Sequence, residues 1–349
     1  MNFSRRSLLS AGAALAATPA AAEIIANGAD QTVELQAAID HAAANGGLLR
    51  LGAGKFLVAG LNLKSSLQIE GVAGQTRLVA LGSVDILSVE GAQHLGISGL
   101  TFEGGGNGLV LRNCGGRISG NAFLLQEKTG LFALDSRGLE ISGNHVHDIG
   151  NNGIQVWTSE KREDGTLVIN NRVERIAAKA GGSGQNGNGI NIYKAGQVMV
   201  ANNRIADCHF SAIRNNAGNN CQILGNNISR TGEVAIYVEF AFEGVVVSSN
   251  MIDDVGFGIS ITNFNEGGRL AVCSGNLVRN AKGGSTEGVK IGGGIYAEAD
   301  TLVSGNVVEN AKDVGIGLGW GAYARNLSAQ GNLIRVCGKG ISVSVTEGA

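Results

Sequence analysis

Residues 139–157 read Leu-Glu-Ile-Ser-Gly-Asn-His-Val-His-Asp-Ile-Gly-Asn-Asn-Gly-Ile-Gln-Val-Trp and contain one copy of a unit that recurs along the chain. The unit is marked by an Asn with an apolar residue two places later. This marker stands at Asn121, Asn144, Asn171, Asn203, Asn226, Asn250, Asn276, Asn306 and Asn332. Successive markers are 23 to 32 residues apart. A period of this length indicates a structural unit that stacks on its neighbours.

Each period contains three short apolar runs with period-two alternation, which predicts three strands separated by Gly and Asn turns. The first run starts with a small residue, as in Gly153-Ile154-Gln155-Val156, the second precedes the marker Asn, and the third follows it. An antiparallel sandwich and a parallel β-helix both use short strands. We favour the β-helix, because sandwich hairpins have no reason to repeat one three-strand order nine times.

The marker Asn has a structural explanation in a β-helix. We expect it at the bend between the second and third strands, in a left-handed backbone conformation. Its side-chain amide would then bond to the marker Asn one coil away. We therefore assign these residues to a ladder and not to chemistry.

The remaining features agree with one elongated solenoid. Gly makes up 56 of 349 residues. The sole proline, Pro19, lies in the N-terminal leader (residues 1–22) and outside the predicted strands, as expected for strands that are paired on both sides. Residues 31–45 predict a helix that ends at Gly46-Gly47 and covers the open end of the solenoid. Its partly apolar face consists of Val33, Leu35, Ile39 and Ala42. The sequence predicts an all-β fold: a single right-handed parallel β-helix over residues 23–349 with an N-terminal capping α-helix and regular coils from about residue 95.

The first turns of this solenoid resemble those of pectate-lyase-like and polygalacturonase-like β-helices. The likeness is carried by Leu35-Gln36-Ala37-Ala38-Ile39-Asp40, Gly46-Gly47 and Leu51-Gly52-Ala53-Gly54. With its leader, the chain also resembles the twin-arginine-translocated repeat proteins of alphaproteobacteria. The Gly-His-Gly and Arg-Ile-Lys signatures of polygalacturonases and the Asp-Pro-His-Asp motif of epimerases are absent. The resemblance therefore implies a fold and a polysaccharide ligand, and it implies no particular reaction.

The N-terminus has the pattern of a twin-arginine signal peptide. Arg5-Arg6 precede a modestly apolar run at 11–17 and the small residues Ala20-Ala21-Ala22. The apolar run is too short to span a membrane as a helix. We expect cleavage after Ala22, passage through the twin-arginine translocase, and a periplasmic or secreted protein with no membrane span.

Charge and cysteine content exclude several classes of function. Removing Arg5 and Arg6 leaves 25 basic and 29 acidic residues, hence 25 − 29 = −4, which gives no attraction to nucleic acid. The five cysteines form no Cys/His metal signature. We expect Cys208 and Cys337 to be buried, His145 and His147 to be surface residues, and the protein to be a monomer with no metal or cofactor.

Chemistry is expected on the outward positions of the first strand, which alternation divides into two columns. The first column is Gln155, Asn191, Arg214, Tyr237, Ser260 and Tyr296. The second column is Trp157, Tyr193, Asn216, Glu239, Thr262 and Glu298. Insertions at 158–166, 176–188 and 281–293 lie beside this face, and the last two should wall an exposed groove a few sugar units long. Exposed side chains there would contribute little to stability.

Two reactions could use these residues. A lyase needs a base and a cation that neutralises a uronate carboxylate, and Lys194 and Arg214 could serve, with Tyr193 or Tyr237 as proton donor. A hydrolase needs two carboxylates, of which Glu239 is one candidate. Asp253-Asp254 sits at a turn position and is assigned to turn capping. The predicted substrate contacts are Trp157, Asn191, Tyr193, Asn216, Tyr296 and Glu298.

The sequence leaves two functional classes open. The first is a polysaccharide lyase or hydrolase that acts on an envelope or environmental glycan. The second is a non-catalytic exported solenoid that binds glycan or serves as an envelope scaffold.

Overall fold

The structure is a computed structural model that describes residues 23–45, 47–182, 184–262, 264–285 and 290–344. The predicted signal peptide, residues 1–22, lies outside the described residues. No helix in the described part is both long and apolar enough to cross a bilayer.

The described chain winds through three parallel sheets, A, B and C, of twelve strands each, and every strand except the last of each sheet pairs with the strand three places on. Sheet A contains β1 Leu48–Leu51, β4 Gln68–Gly71, β7 Leu95–Ser98, β10 Gly116–Ser119, β13 Leu139–Ser142, β16 Leu167–Ile169, β19 Met199–Ala201, β22 Cys221–Leu224, β25 Glu243–Ser248, β28 Arg269–Ser274, β31 Thr301–Ser304 and β34 Leu327–Gln330. Sheet B contains β2 Gly54–Val58, β5 Thr76–Ala80, β8 Leu100–Glu103, β11 Ala122–Leu124, β14 His145–Ile149, β17 Arg172–Ile176, β20 Arg204–Cys208, β23 Asn227–Thr231, β26 Met251–Val255, β29 Leu277–Ala281, β32 Val307–Ala311 and β35 Leu333–Arg335. Sheet C contains β3 Leu61–Leu63, β6 Leu87–Glu90, β9 Leu109–Arg112, β12 Thr129–Leu134, β15 Asn152–Glu163, β18 Asn188–Gly196, β21 Ile213–Asn216, β24 Val234–Glu239, β27 Phe257–Ile261, β30 Gly293–Ala297, β33 Val314–Leu318 and β36 Lys339–Val343.

This topology confirms the predicted parallel β-helix and excludes the antiparallel sandwich. Two short 3₁₀ helices, Phe264–Glu266 and Gly321–Tyr323, follow β27 and β33. The first coil is formed by β1, β2 and β3, so regular pairing begins well before residue 95.

The predicted capping helix is α1, Thr32–Ala44. It packs on β1 and β3 at the open end of the solenoid, where it buries Leu35 and Ile39. Val33 is 84% exposed, so its place on the apolar face was predicted wrongly. Leu35 and Ile39 are one helical turn apart and share a face, whereas Val33 points away from that face.

The interior is one continuous apolar core, because alternate residues of all three sheets point inward. Stacked rings fill part of it, as at Phe102 and Phe123, whose centroids are 4.8 Å apart. All five cysteines are free, and four of them are buried. Cys208 is one of the four, as predicted, but Cys337 is only half-buried because it lies in the last described coil.

The marker Asn residues form the predicted ladder. The Oδ1 atom of Asn226 accepts hydrogen bonds from the backbone N–H and the Nδ2 of Asn203, both at 3.0 Å. The same pair of bonds links each marker to the next, from Asn121 to Asn332. One detail of the prediction was wrong, because the left-handed backbone belongs to the residue before the marker. Those residues are Gly120, Gly143, Asn170, Asn202, Gly225, Ser249, Gly275, Gly305 and Gly331.

Candidate functional site

The two predicted columns lie on the outer face of sheet C. Gln155, Asn191, Arg214, Tyr237, Ser260 and Tyr296 are Cα partners on successive strands from β15 to β30. Trp157, Tyr193, Asn216 and Glu239 form the second register. Thr262 and Glu298 continue it through bonds from their N–H groups to Val238 and Ile261. Alternation and spacing therefore placed all twelve residues correctly.

The prediction that this face is exposed was wrong for its centre. Asn191, Arg214 and Glu239 are all buried, although they point away from the core. Two insertions cover them. β15 extends to Glu163, and the Nζ of Lys161 in this extension donates to the carbonyl of Ala241. Gly184 in the 176–188 insertion lies so close to Arg214 that an added Cβ would come within 2.0 Å of Nη1.

Arg214 is the centre of a buried ion cluster. Its Nε and Nη2 donate to the two carboxylate oxygens of Glu239 at 2.6 and 2.9 Å. Its Nη1 lies 3.3 Å from Glu233, which also accepts a bond from Ser211 Oγ at 3.0 Å. The Arg214 guanidinium sits 4.8 Å from the centroid of the Tyr237 ring. Glu233 was missed at the sequence level, because it belongs to the turn before β24 and has no place in the strand alternation.

Burial and charge act against each other in this cluster. Burial disfavours the charged form of Arg214, but the hydrogen bonds and charge of Glu239 outweigh it, so the pKa of Arg214 is raised. Burial also raises the pKa of Glu233 and that of Tyr237. Two carboxylates thus engage the guanidinium, which leaves it poorly placed to neutralise a substrate carboxylate.

Earlier coils of the same face carry Lys194, Trp157 and Tyr193. The Nζ of Lys194 lies 5.0 Å from the Tyr193 ring centroid and donates to the carbonyl of Ser159 at 3.3 Å. Trp157 donates from Nε1 to Asn191 Oδ1 at 3.1 Å, and its ring packs 5.5 Å from that of Tyr193. Asn216 donates to Glu239. These contacts link Trp157 to Asn191 and Tyr193, and Asn216 to Glu239.

A concave site lies further along sheet C, and we call it the sheet C groove. It encloses about 740 Å³. Its lining is Tyr237, Phe257, Ser260, Thr262, Ile291, Tyr296, Glu298, Asp313, Val314, Gly317, Leu318, Trp320, Lys339, Ser342 and Ser344. Of the predicted site residues, Tyr237, Tyr296 and Glu298 line it.

Gly317 shapes the floor of the sheet C groove. It is the Cα partner of Tyr296, and a Cβ added there would lie 2.8 Å from the Tyr296 ring. The ring therefore lies over the glycine, and the Tyr296 hydroxyl donates to the carbonyl of Gly319 at 3.0 Å. Trp320, 61% exposed, stands at the rim. It was missed because it follows β33, where strand alternation has ended.

The predicted walls also border a second depression, at the corner between sheets B and C. This corner groove encloses about 620 Å³ and is lined by Arg175–Ala177, Asp207–His209, Arg230–Gly232, Asp254–Gly256, Lys282, Gly283 and Ser285. The insertions leave the solenoid at that corner and also reach the face of sheet C, where Gly184 covers Arg214 and Ile291 lines the sheet C groove. Residues 183 and 286–289 of these insertions lie outside the described residues.

The acids of this corner lie at a bend of the backbone and form ion pairs between coils, whereas turn capping was predicted for Asp253-Asp254. Asp148, Asp207 and Asp254 all have positive φ values between 56° and 59°. Each pairs with a cation of the next coil: Asp148 with Arg175, Asp207 with Arg230 and Asp254 with Lys282. These ion pairs join neighbouring coils.

The two strand histidines lie close together but are already engaged. The rings of His145 and His147 are 4.3 Å apart. His145 contacts Glu174 at 3.1 Å, and Arg175 lies 3.2 Å from Nδ1 of His147. Burial alone would raise the pKa of Glu174, but hydrogen bonds from Arg172 and Arg175 hold it at about 2. Both arginines thus neutralise the carboxylate that a metal ion would need.

Comparison with solved structures finds the same fold in proteins of low sequence identity. A surface protein and adhesin of Streptococcus pneumoniae, PfbA, matches with a TM-score of 0.60 and 12% identity over 91% of this chain and 96% of its own. A polygalacturonase from Erwinia carotovora matches at 0.58 and 13% over 93% and 96%. The catalytic domain of an α-1,3-glucanase matches at 0.56 and 10% over 94% and 68%. At such identities the likeness establishes the fold alone.

Sequence comparison gives a partial match to one family. The model of NosD, described as a periplasmic copper-binding protein, matches residues 75–235, somewhat under half of the chain. A comparison with curated protein sequences finds no match.

The described residues of this chain do not fit a copper ion. Imidazole and thiolate are the ligands that copper prefers. Arg175 faces the His145–His147 pair, and burial raises the pKa of the Cys221 and Cys273 thiols to about 12. Within the described ranges, no group of three or more His, Cys, Asp or Glu residues is arranged to hold a metal. The similarity to this family thus lies in the repeated coils and not in a copper site.

We expect the mature protein, free of any histidine tag, to bind no stoichiometric Cu²⁺ at micromolar concentration in calorimetric titration. Arg175→Ala should raise Cu²⁺ affinity about tenfold or more, because a unit charge about 4 Å away is worth ~1–4 kcal/mol near a protein surface. Arg117→Ala, which breaks an exposed pair with Glu140 on sheet A, is the matched control. One Cu²⁺ per wild-type chain, lost in His147→Ala, would contradict this prediction.

Proposed function

We propose that the protein is an exported β-helix that binds a polysaccharide in the sheet C groove. The observation that carries the proposal is the shape of this groove, which runs along the solenoid axis between the rim residues Trp320 and Ile291. Tyr296 lies on its floor over Gly317. Coils stack about 4.8 Å apart, so the floor from Tyr237 to Ser342 has room for a few sugar units.

Aromatic rings suit this role because their faces pack on the apolar faces of sugar rings, while nearby polar groups set orientation. The similarity in fold to a polygalacturonase and to an α-1,3-glucanase, both named for polysaccharides, supports a polysaccharide ligand. The predicted signal peptide and the periplasmic description of the matching family support export.

Between the two classes left open by the sequence, the geometry favours binding over lyase chemistry. Arg214 is engaged by Glu239 and Glu233 under the 176–188 insertion. Lys194 is directed to Ser159 and Tyr193. A lyase would need this cation and this base free at one substrate. Their catalytic roles stay predictions.

A second candidate function is hydrolysis, favoured by the presence of two carboxylates, Glu298 and Asp313, in the lining of the groove. Incubation with polysaccharides, followed by assays of reducing ends and of unsaturated products, separates the possibilities. Binding without either product supports a binding protein, whereas new reducing ends support hydrolysis. Unsaturated products would overturn the preference for binding over lyase chemistry.

Trp320→Ala tests the groove directly. We expect it to weaken polysaccharide binding at least about tenfold, ~1.4 kcal/mol, because an exposed ring at the rim supplies stacking area. Affinity electrophoresis against a polysaccharide panel measures the change. Tyr323→Ala is the matched control, since this exposed ring belongs to the 3₁₀ helix that follows Trp320 and does not line the groove. Equal weakening in both variants would contradict the assignment of the groove.

A further inference from the structure

The charge of the sheet C groove bears on the class of polysaccharide. Among the described lining residues, Glu298 and Asp313 are acids and Lys339 is the base. Both carboxylates are held in place by backbone N–H groups: Glu298 accepts from Phe264 at 3.0 Å and Asp313 from Gly292 at 2.7 Å. The lining therefore contains two acidic side chains and one basic one, a formal charge of 1 − 2 = −1.

The neighbouring ion cluster adds no positive charge to the groove. Tyr237 lines the groove and contacts Arg214, the guanidinium nearest to it along the first column. Glu239 and Glu233 both pair with that guanidinium. Two carboxylates around one guanidinium leave the cluster at zero or negative charge, depending on the protonation of Glu233.

A polyuronate carries a carboxylate on every sugar unit, so it would be repelled by this groove. The net charge of −4 that we calculate for the chain without its leader adds to the repulsion. A neutral sugar carries no such penalty. Its hydroxyl groups match the short polar side chains of the floor, such as Ser260 and Ser342, and its ring faces match Tyr296 and Trp320.

We propose that the ligand of the sheet C groove is a neutral polysaccharide and that polyuronates are excluded by charge. This inference rests on the proposed function. A resemblance to pectate lyases would suggest a polyuronate ligand, and this inference predicts the opposite. It depends on acids and ion pairs that the fold brings together.

The test is affinity electrophoresis of the mature protein in gels that each contain one polysaccharide. The neutral polysaccharides are glucans, galactans and mannans, and the polyuronates are alginate and polygalacturonate. Each gel is run at about 0.01 M salt, where the Debye length is roughly 30 Å, and at about 1 M salt, where it is roughly 3 Å. We expect a neutral polysaccharide to retard the protein at both salt concentrations and polyuronates to have no effect at low salt. Retardation by a polyuronate that strengthens as salt falls would overturn the inference and leave the proposed function standing. No retardation by any polysaccharide would overturn both.

A charge variant isolates the electrostatic step. Glu298→Gln combined with Asp313→Asn keeps an oxygen acceptor for each backbone N–H and removes two negative charges. We expect polyuronate affinity at low salt to rise at least about threefold relative to the affinity of the same variant for a neutral polysaccharide. The matched control is Glu140→Gln combined with Asp253→Asn, which removes two negative charges from sheets A and B, away from the groove. An equal rise in both double variants would mean that global charge, and not the groove, excludes polyuronates.

Discussion

Arg214→Ala is expected to lower the free energy of unfolding by roughly 3–5 kcal/mol, because it leaves buried carboxylates without their partner. Arg214 is 9% exposed and Glu239 only 2%. The substitution removes both bonds to Glu239 and the contact with Glu233. Urea denaturation of the mature protein measures the loss. This reverses the expectation from sequence that an outward arginine contributes little.

The pH dependence of Arg214→Ala gives an independent readout. Burial already raises the pKa of Glu233 while the charge of Arg214 opposes that rise, so removing the guanidinium should raise this pKa further. The folded variant then binds more protons than the unfolded chain. It should therefore regain stability as pH falls through the raised pKa of Glu233 and lose it as pH rises. The destabilisation should be largest at neutral pH.

Two control variants separate the buried cluster from ordinary ion pairs. Arg230→Ala breaks an exposed pair with Asp207 and should cost about 0–1 kcal/mol. Arg214→Met combined with Glu233→Gln and Glu239→Gln should recover most of the stability, because no unpaired charge stays buried. Wild-type stability in Arg214→Ala would show that the two carboxylates do not depend on this guanidinium.

Asn226→Ala is expected to lower the free energy of unfolding by roughly 3 kcal/mol, because it interrupts the ladder in its interior. The side chain accepts from Asn203 and donates to the carbonyl of Val200 and to Oδ1 of Asn250, all at 3.0 Å. Truncation leaves the buried N–H of Asn203 without its acceptor. Denaturant unfolding measures the effect.

The end of the same ladder supplies the control. Asn332 makes equivalent bonds to Asn306 and Val303 but is only partly buried, so water can replace its side chain. Asn332→Ala should cost about 1 kcal/mol or less. Asn226→Asp should resemble Asn226→Ala, since an acceptor then faces the Oδ1 of Asn250. Equal costs at positions 226 and 332 would mean that burial does not set the strength of the ladder.

The repeat predicted most of the fold because each feature depends on residues close in sequence. Period-two alternation determines which side chains point inward, and the recurrent Asn determines which coils align. These two signals placed the ladder and both columns of sheet C in the correct register. They misplaced the left-handed residue by one position, because neither alternation nor the ladder bonds report which residue makes the bend.

Burial of the site could not be predicted from the same signals. Strand alternation placed Arg214 on an outward face, but whether that face meets solvent depends on the path of the insertions at 158–166 and 176–188. Insertions have no periodicity, and their positions result from contacts over long sequence separations, such as that between Lys161 and Ala241. For the same reason, the sequence could not predict that these walls also border the corner groove.

The sequence by itself determined the parallel β-helix, its capping helix, the Asn ladder and the alignment of side chains along sheet C, since these follow from a local pattern repeated coil after coil. Only the tertiary structure decided that Arg214 is enclosed by Glu239 and Glu233, and that the open groove lies where Tyr296 rests on Gly317 beside Trp320. Enclosure and concavity depend on how irregular segments pack against the regular coils, and no local pattern in the chain encodes that packing.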